Sequence, residues 1–154
     1  YVIEIIDSDN PDKKLFEEYM NFHYDTKGVT RTRESFQADF QSLKRKNQYI
    51  MLFKAENKLL ASLQTYIFED YIQPNSAMQV YDYSAKNYYP YHVLYWENLL
   101  YARRQKCKYC FIGEKVVENN VNQPTEKEKS ISFFLSGWGG EIYPWFKSEK
   151  CFVK

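Results

Sequence analysis

The most constraining feature of the sequence is the stretch 81–113, in which a turn, an amphipathic helix and a short strand follow one another. Pro90 predicts the start of the helix, because a proline at the first helical position loses no hydrogen bond. Apolar residues then recur with the 3.6-residue period of a helix packed on an apolar surface, namely Val93, Trp96, Leu99, Leu100 and Ala102. A β-prone run over 109–112 follows and ends at Gly113. Two strands joined by one helix are most simply a parallel crossover.

The rest of the chain predicts an antiparallel meander around this crossover. The expected elements are strands over 1–6, 48–54, 58–68, 77–83, 109–112, 141–146 and 150–153 and helices over 11–23, 32–46, 90–106 and 126–136. Glu56 and Asn57 predict a hairpin turn, while Pro74 and Asn75 predict a loop over 69–76. A polar segment over 118–129 predicts a mobile loop. The fold class is therefore α/β (α+β): a mixed sheet with an antiparallel meander, one parallel crossover and helices on both faces.

Length and charge limit the classes of protein to which the chain can belong. Its 154 residues predict one domain over 1–154, and the start at Tyr1 without a methionine indicates a trimmed chain or a fragment. A net charge of +1 gives no electrostatic reason to expect DNA or a membrane surface as the main partner. No apolar run is long enough to span a bilayer and no secretory leader is visible. Together with an odd count of three cysteines, this predicts a cytoplasmic protein.

Two of the cysteines, Cys107 and Cys110, form a CxxC pair that we interpret as structural. A redox pair of this type lies at a helix N-terminus, which lowers the pKa of the first thiol. Here the pair follows the C-terminal end of the predicted helix, where the helix dipole acts in the opposite direction. A zinc site needs two more ligands, and the remaining histidines and cysteine show no metal-type spacing. The sequence therefore predicts no metal.

The order of the elements resembles the GNAT (N-acyltransferase) fold. The stretch 81–113 also resembles a segment of FemAB-like aminoacyltransferases, where a turn leads into a helix and a strand that ends near glycine; the matching residues are Tyr83, Ser84, Leu94, Trp96, Glu97, Ala102 and Gly113. A second match, to the FKxxFGGE signature of that family, comprises Phe134, Gly139, Gly140 and Glu141. Two positions depart from the family: Leu135 replaces a lysine and Ile112 an aspartate. The resemblance implies transfer of an acyl or aminoacyl group to an amine, with aminoacyl-tRNA as the donor in the FemAB group.

Acyl transfer needs a base for the amine, an acid for the leaving group and a donor that polarises the carbonyl. We assign the base to Glu114 and the acid to Tyr83. In the GNAT architecture the donor carbonyl lies where the two central parallel strands splay, here 77–83 and 109–113. The turn 84–89 contains no glycine, unlike a standard coenzyme A phosphate loop. The residues predicted to bind substrate or donor are Ser84, Lys86, Asn87, Tyr88, His92, Gly113, Trp138 and Gly139.

Two further patterns have both a plain and a functional interpretation. Ser62, Gln64 and Tyr66 alternate along a predicted strand and either line a groove or face solvent. A basic cluster over the second helix is either a solvated face or a contact to a phosphate-bearing substrate; it comprises Arg31, Arg33, Lys44, Arg45 and Lys46.

The leading hypothesis is a cytosolic GNAT-fold acyl- or aminoacyltransferase of the FemAB-like type. It predicts as acceptor an amine on a sugar or on a cell-envelope (peptidoglycan) precursor, and as donor acyl-CoA or aminoacyl-tRNA, so that tRNA is a possible partner. The alternatives are a non-catalytic GNAT-like domain that binds a ligand or partner, and a conventional acetyl-CoA N-acetyltransferase. The sequence leaves the oligomeric state open.

Overall fold

The computed structural model describes residues 1–81, 87–116 and 123–143. The strands are β1 (Val2–Ile6), β2 (Gln48–Ala55), β3 (Lys58–Phe68), β4 (Tyr71–Gln79) and β5 (Tyr109–Cys110), and the helices are α1 (Lys13–Lys27), α2 (Arg33–Leu43), α3 (Pro90–Arg104) and α4 (Glu126–Ser136). The chain divides into two compact units, the first of which is Tyr1–Gly113; the second begins at Glu114. A single domain over the whole chain remains a prediction.

One five-stranded mixed sheet forms the centre of the first unit, in the order β1-β2-β3-β4-β5. The pairs β1–β2, β2–β3 and β3–β4 are antiparallel. The pair β4–β5 is parallel, with Tyr71 opposite Tyr109 and Ile72 opposite Cys110, and α3 is the connection between these two strands. The structure therefore confirms the predicted fold class, including the meander and the crossover.

Helices cover both faces of this sheet, as predicted. Side chains of β2 alternate between the faces, so that Met51 and Phe53 pack toward Leu94 of α3. Ile50 and Leu52 pack on the other face, in a cluster with buried side chains of α1 and α2. Apolar residues on both sides of a strand are what a doubly covered sheet requires. We call these surfaces the α3 face and the α1/α2 face.

The β2–β3 hairpin forms where the sequence predicts it. Glu56 and Asn57 both have positive φ, 52° and 60°, which is the conformation that a two-residue type I′ turn needs. Asparagine tolerates this left-handed conformation better than most residues. The turn fixes the register of β3, and therefore also the faces on which Gln64 and Thr65 lie.

The prediction for β4 was wrong. Instead of a loop over 69–76 and a strand over 77–83, one strand spans Tyr71–Gln79, and 82–83 lies outside the described residues. Pro74 and Asn75 lie within this strand, at a β-bulge: Gln64 is opposite Ser76 while Thr65 is opposite Pro74, so Asn75 is the extra residue. Proline is tolerated in strands at bulges and where its nitrogen points away from the ladder. A bulge, rather than a turn, accounts for this Pro-Asn pair.

The predicted packing face of α3 was correct only in part: Ala102 is buried and Val93 packs against the core. The buried residues of the helix are Pro90, Leu94, Asn98, Tyr101 and Ala102, whereas Trp96 is 55% exposed. The stripe keeps the helical spacing but includes Asn98, whose side chain is buried because it is hydrogen-bonded. A pattern search that counts only apolar residues assigns such a position to the solvent side.

The other elements differ from the predictions mainly at their ends. α1 begins two residues later than predicted, after the N-cap Asp12, and ends four residues later, at Lys27, just before the expected break at Gly28. α2 follows the N-cap Thr32. β5 is shorter than predicted, and residues 141–143 are not a strand. The remainder of the predicted strands 141–146 and 150–153 lies outside the described residues.

Within the second unit, α4 has the predicted bounds. Thr125 and Glu128 form a reciprocal capping box at its first turn, so the last residues of the predicted loop 118–129 are helical instead. Gly137 follows the helix with φ −68°. It therefore does not adopt the left-handed conformation expected of a terminating glycine.

Candidate functional site

The strands β4 and β5 separate after a short parallel contact. Their paired residues are Tyr71–Tyr109 and Ile72–Cys110. The Phe111 N–H donates to the Ile72 carbonyl at 2.9 Å, and this is the last bond of the ladder in the described residues. β4 continues to Gln79 while the chain of β5 has left the strand conformation. Over the described residues, no strand pairs with the second half of β4 on this side, and we call this edge of β4 the opening.

The bulge decides which backbone groups of β4 face this opening. The Val80 N–H donates to the Leu60 carbonyl at 3.0 Å. Because every second residue of an antiparallel strand directs its backbone groups to the same neighbour, the N–H and C=O groups of Met78 and Ser76 also point toward β3. Ala77 and Gln79 then direct their N–H and C=O groups away from β3, toward the opening. Before the bulge, the backbone groups of Ile72 and Pro74 point toward the β5 side of the strand, but proline has no N–H. The first N–H after the bulge that points away from β3 is that of Ala77, and among residues 1–81, 87–116 and 123–143 it has no backbone acceptor.

A polar side-chain network leads to the bulge on the α1/α2 face. We call it the bulge cluster, and it comprises Tyr19, Asp39, Gln48, Gln64, Tyr66 and Asn75. Its centre is the fully buried Gln64. The Oε1 atom of Gln64 accepts from Tyr19 Oη at 3.3 Å and from Asn75 Nδ2 at 3.4 Å. Its Nε2 atom donates to Gln48 Oε1 at 2.7 Å and to Asp39 Oδ2 at 3.2 Å.

The bulge cluster reaches the surface at both of its ends. Asn75 is exposed, and its Nδ2 also donates to Tyr66 Oη at 3.3 Å. At the other end, Arg31 pairs with Asp39 Oδ2 at 2.7 Å and its guanidinium lies 4.4 Å from the centre of the Phe36 ring. Arg31 is therefore not a freely solvated member of the basic cluster. Of the alternating residues Ser62, Gln64 and Tyr66, the first two are fully buried and so do not face solvent, while Tyr66 is partly buried.

The phenols of the cluster act as neutral hydrogen-bonding groups near pH 7. Burial raises the pKa of Tyr19 far above its ordinary value. Burial, and next the charge of Asp39, raises the pKa of Tyr66. Both phenols therefore keep their protons. Tyr19 is fully buried against Gln64, Tyr66 is partly exposed, and Asp39 pairs with Arg31.

Three of the predicted binding residues lie next to the start of α3. Asn87 and His92 are exposed. Tyr88 Oη donates to Glu56 Oε1 at 2.9 Å, and this carboxylate raises the pKa of Tyr88. Tyr88 therefore holds the β2–β3 turn against the segment before α3. The helix begins with Pro90 as predicted, after Tyr89 at φ 47°. Tyr83, Ser84 and Lys86 lie outside the described residues.

The remaining predicted residues follow β5 or belong to the second unit. Gly113 ends the first unit at φ 137°, a conformation open mainly to glycine. Glu114, the predicted base, is exposed. Trp138 is partly buried and packs edge-on against Phe134 at 6.0 Å, and Gly139 has φ 70°. Thus the structure groups Asn87, Tyr88 and His92 in the first unit, and Trp138 and Gly139 in the second.

The two thiols of the CxxC pair are free. Burial raises the pKa of Cys107, and it raises the pKa of Cys110 to about 11. Both thiols are therefore protonated near pH 7, which is the opposite of what a nucleophilic or metal-binding thiolate needs. Over residues 1–81, 87–116 and 123–143, no three side chains of His, Cys, Asp or Glu form a group that could hold a metal ion. The same residues contain no helix with the length and hydropathy of a membrane span.

Sequence reasoning missed Tyr19, Asp39 and Asn75. Tyr19 and Asp39 lie on different helices, and only the packing of those helices on the sheet brings them to Gln64. Asn75 was assigned to a loop. The signal for the bulge was present, because β-prone residues continue on both sides of the Pro-Asn pair.

Comparison with known proteins supports the fold. No protein-family model matches the sequence, and no curated protein matches it. Among solved structures, the aminoglycoside N-acetyltransferase AAC(6')-Iy, in complex with a CoA bisubstrate analogue, aligns with a TM-score of 0.65 at 8% identity, over 98% of this chain and 100% of that one. A ribosomal-protein-alanine N-acetyltransferase from Brucella melitensis biovar Abortus 2308 aligns with a TM-score of 0.58 at 11% identity, over 99% of both chains.

A third similar structure is an aminoglycoside acetyltransferase from an uncultured soil metagenomic sample, in complex with sisomicin. It has a TM-score of 0.58 at 13% identity and covers 97% of this chain and 96% of that one. At such identities the comparisons show the fold alone, and that fold is the GNAT fold of acetyltransferases. The resemblance to the FemAB group stays a prediction.

Proposed function

We propose that this chain is an N-acyltransferase that moves an acyl group from acyl-CoA to the amine of a small molecule. The observation that carries the proposal is the opening between β4 and β5 beside the bulge at Asn75. Because parallel pairing stops after Ile72, a linear donor can reach the backbone edge of β4. The similar structures support the proposal, since AAC(6')-Iy is described in complex with CoA and with a CoA bisubstrate analogue.

The residues around the opening fit an acyl thioester. The N–H of Ala77 faces the opening and can donate to a carbonyl oxygen there, which stabilises the negative charge that develops during acyl transfer. The start of α3 adds the positive end of a helix dipole, which favours phosphate groups. The glycine-free turn 84–89 makes the phosphate contacts atypical. An acyl-CoA supplies the activated acyl group, and the chain supplies its alignment with an amine.

The bulge cluster is the proposed wall of the acceptor site. It offers hydroxyl, amide and carboxylate groups from Tyr66, Asn75 and Asp39 on the α1/α2 face, next to the same bulge. Such groups recognise a polar amine that also carries hydroxyl groups. We keep Glu114 as the proposed base and Tyr83 as the proposed acid. Ser84, Lys86, Asn87, Tyr88 and His92 are the proposed contacts of the donor, and Gly113, Trp138 and Gly139 of the substrate.

A second candidate is aminoacyl transfer of the FemAB-like type, to an amine of a cell-envelope precursor. It is favoured by the match at Phe134, Gly139, Gly140 and Glu141. Leu135, in place of the lysine of that family, is a buried residue of α4. It contributes packing there and no charge, which favours acyl-CoA over aminoacyl-tRNA as the donor.

The proposal is tested by donor binding and by transfer in one set of experiments. Desulfo-CoA at 100 times its dissociation constant should stabilise the protein by about 2.7 kcal/mol, visible as a higher melting temperature. Acetyl-CoA with a panel of polar amines should then give an acetylated product by mass spectrometry. If desulfo-CoA raises the melting temperature but no acetylated product forms, the alternative of a non-catalytic, ligand-binding GNAT-like domain would be favoured. A melting temperature that responds to neither CoA nor desulfo-CoA would contradict the proposal.

The substitution Ala77→Pro tests the role of the N–H in the same assay. It removes the donor that faces the opening without removing a bond to β3, so kcat should fall by roughly 100- to 1000-fold. Ala77→Val is the matched variant, because it alters the side chain more and keeps the N–H; it should retain most of the activity. Equal losses in the two variants would refute this role of the backbone, provided that circular dichroism shows both to be folded.

A further inference from the structure

The side chain of Gln64 is the most completely bonded polar group at the bulge. It makes four hydrogen bonds, to Tyr19, Asp39, Gln48 and Asn75, at distances from 2.7 to 3.4 Å. The residue is fully buried. A buried amide with both its carbonyl and its NH₂ group bonded has one allowed orientation, because any rotation leaves donors and acceptors without partners.

This amide holds the residue that creates the bulge. Asn75 Nδ2 donates to Gln64 Oε1 and to Tyr66 Oη, so two side chains of β3 bind the extra residue of β4. A bulge redirects the strand that follows it, and bulges often aim a group at an active site. Ala77 lies two residues further along β4, and its N–H faces the opening. The orientation of this N–H therefore depends on how the bulge is held.

The side chain of Gln64 is itself held in place by a residue outside the sheet. Asp39 lies on α2 and binds both Gln64 Nε2 and Arg31. The backbone carbonyl of Asp39 accepts from Gln48 Nε2 at 2.8 Å, and Gln48 in turn accepts from Gln64. The closed ring of Asp39, Gln48 and Gln64 ties α2, β2 and β3 together. Gln64 is thus held by rigid elements.

We infer that Gln64 is a positioning residue which, through Asn75, sets the direction of the Ala77 N–H toward the donor carbonyl. The inference rests on the proposed acyl transfer and extends it to a side chain that does not touch the reacting atoms. Its role is geometric: a displaced N–H still permits donor binding but stabilises the transition state less. A misplacement of about 1 Å can cost roughly 100-fold in rate.

The experiment compares Gln64→Leu with Thr65→Val in the full chain. The two positions are adjacent on β3, fully buried and hydrogen-bonded through their side chains, but they lie on opposite faces of the sheet. Gln64→Leu should lower kcat by roughly 10- to 100-fold while KM for acetyl-CoA changes less than about threefold. Thr65→Val should lose stability and keep kcat. Equal kcat in Gln64→Leu and the unaltered protein, or equal losses in both variants, would overturn the inference.

A second readout does not depend on activity. In ¹⁵N NMR spectra, Gln64→Leu should shift the Ala77 amide resonance, because the bulge that precedes it is released, whereas Thr65→Val should leave it in place. If Gln64→Leu does not fold, Asn75→Ala replaces it, because Asn75 is exposed. If the unaltered protein transfers no acyl group, the proposed function is refuted. A shifted Ala77 amide resonance in Gln64→Leu would still support the positioning role in that case. An unshifted amide would overturn that role.

Discussion

The two faces of the sheet both contain a buried polar network, and the networks end differently. On the α3 face, Asn98 Oδ1 accepts from Tyr49 Oη at 2.6 Å and from Thr65 Oγ1 at 2.8 Å, and these three side chains are fully buried. Asn98 Nδ2 lies 3.7 Å from Cys110 Sγ. We call this the closed network. The bulge cluster on the α1/α2 face begins equally deep, at Gln64, but continues to the exposed Asn75 and to Arg31.

This difference separates a structural role from a ligand-binding role. A closed network has all its partners within the protein, so it fixes the helix on the sheet and cannot exchange a partner for a ligand. Groups of the bulge cluster that reach the surface can exchange water for a ligand. Substitutions in the closed network should therefore lower stability more than activity, and the reverse should hold at the bulge.

The largest effect on stability is expected for Asn98→Leu. The substitution leaves the Tyr49 and Thr65 hydroxyls buried without their acceptor, which should lower the free energy of unfolding by about 2–5 kcal/mol. Urea titration measures this loss, and kcat per folded molecule should stay within about twofold of its original value. Cys110→Ala removes only the weak sulfur contact and should cost clearly less. If the two variants proved equally stable, the closed network would not be the source of the stability.

A smaller loss is expected for Arg31→Met in the bulge cluster. The side chains of Arg31 and Asp39 are 26% and 17% exposed. Water can therefore reach Asp39 once the guanidinium is gone, and the loss should be about 1 kcal/mol. Lys13→Met is the matched control, because its pair with Glu17 is fully at the surface, and it should change nothing measurable. A loss as large as that of Asn98→Leu would show that the bulge cluster is closed as well.

The smallest effect concerns pH and His23. This buried side chain lies 2.8 Å from Thr30 Oγ1 through its Nε2 atom. Burial, and next the charges of Arg31 and Lys27, lower the pKa of His23 below its ordinary value. As the pH falls, His23 therefore takes up a proton in the unfolded chain at a higher pH than in the folded protein. The stability that neutral His23 contributes is complete above its ordinary pKa of about 6.5. It is lost as the pH falls from there toward the lower pKa of His23 in the folded protein.

Urea titrations at pH 7.5 and 5.5 test this pH dependence. The unaltered protein should lose more stability between the two values than His23→Gln, which keeps a hydrogen-bonding group near Thr30 but does not titrate. Identical losses in the two proteins would show that His23 has the same proton affinity in the folded and unfolded states.

Local signals predicted the meander and the crossover. The alternation in β3 and the turn pair Glu56–Asn57 gave correct bounds, because register and turn type are decided within a few residues. The start of α3 at Pro90 and the bounds of α4 at 126–136 were local in the same sense. The predictions failed where a polar residue is buried by distant partners. Asn98 is the buried example, which the predicted apolar stripe of α3 left out. Asn75 is exposed, but Gln64 and Tyr66 hold it in a bulge where the sequence predicted a loop.

The candidate site was harder to predict than the fold. Gln64 and Tyr66 were named from their alternation, but their partners Tyr19 and Asp39 come from helices far away in the chain. Side-chain polarity indicates that a residue can bind something. Only the packed structure shows what it binds, and whether the resulting network ends at the surface.

Pro74 has a consequence for the behaviour of the chain in concentrated solution. Within the part of the chain that the structure describes, β4 has no strand partner on its β5 side beyond Ile72, and unpaired strand edges recruit strands from other molecules. After Ile72, the next residue of β4 whose backbone faces this edge is Pro74. Continuous pairing along the edge would need its N–H, and proline has none. The bulge at Asn75 then shifts the pattern of the remaining groups. The edge can therefore accept a short, flexible chain but is a poor template for aggregation.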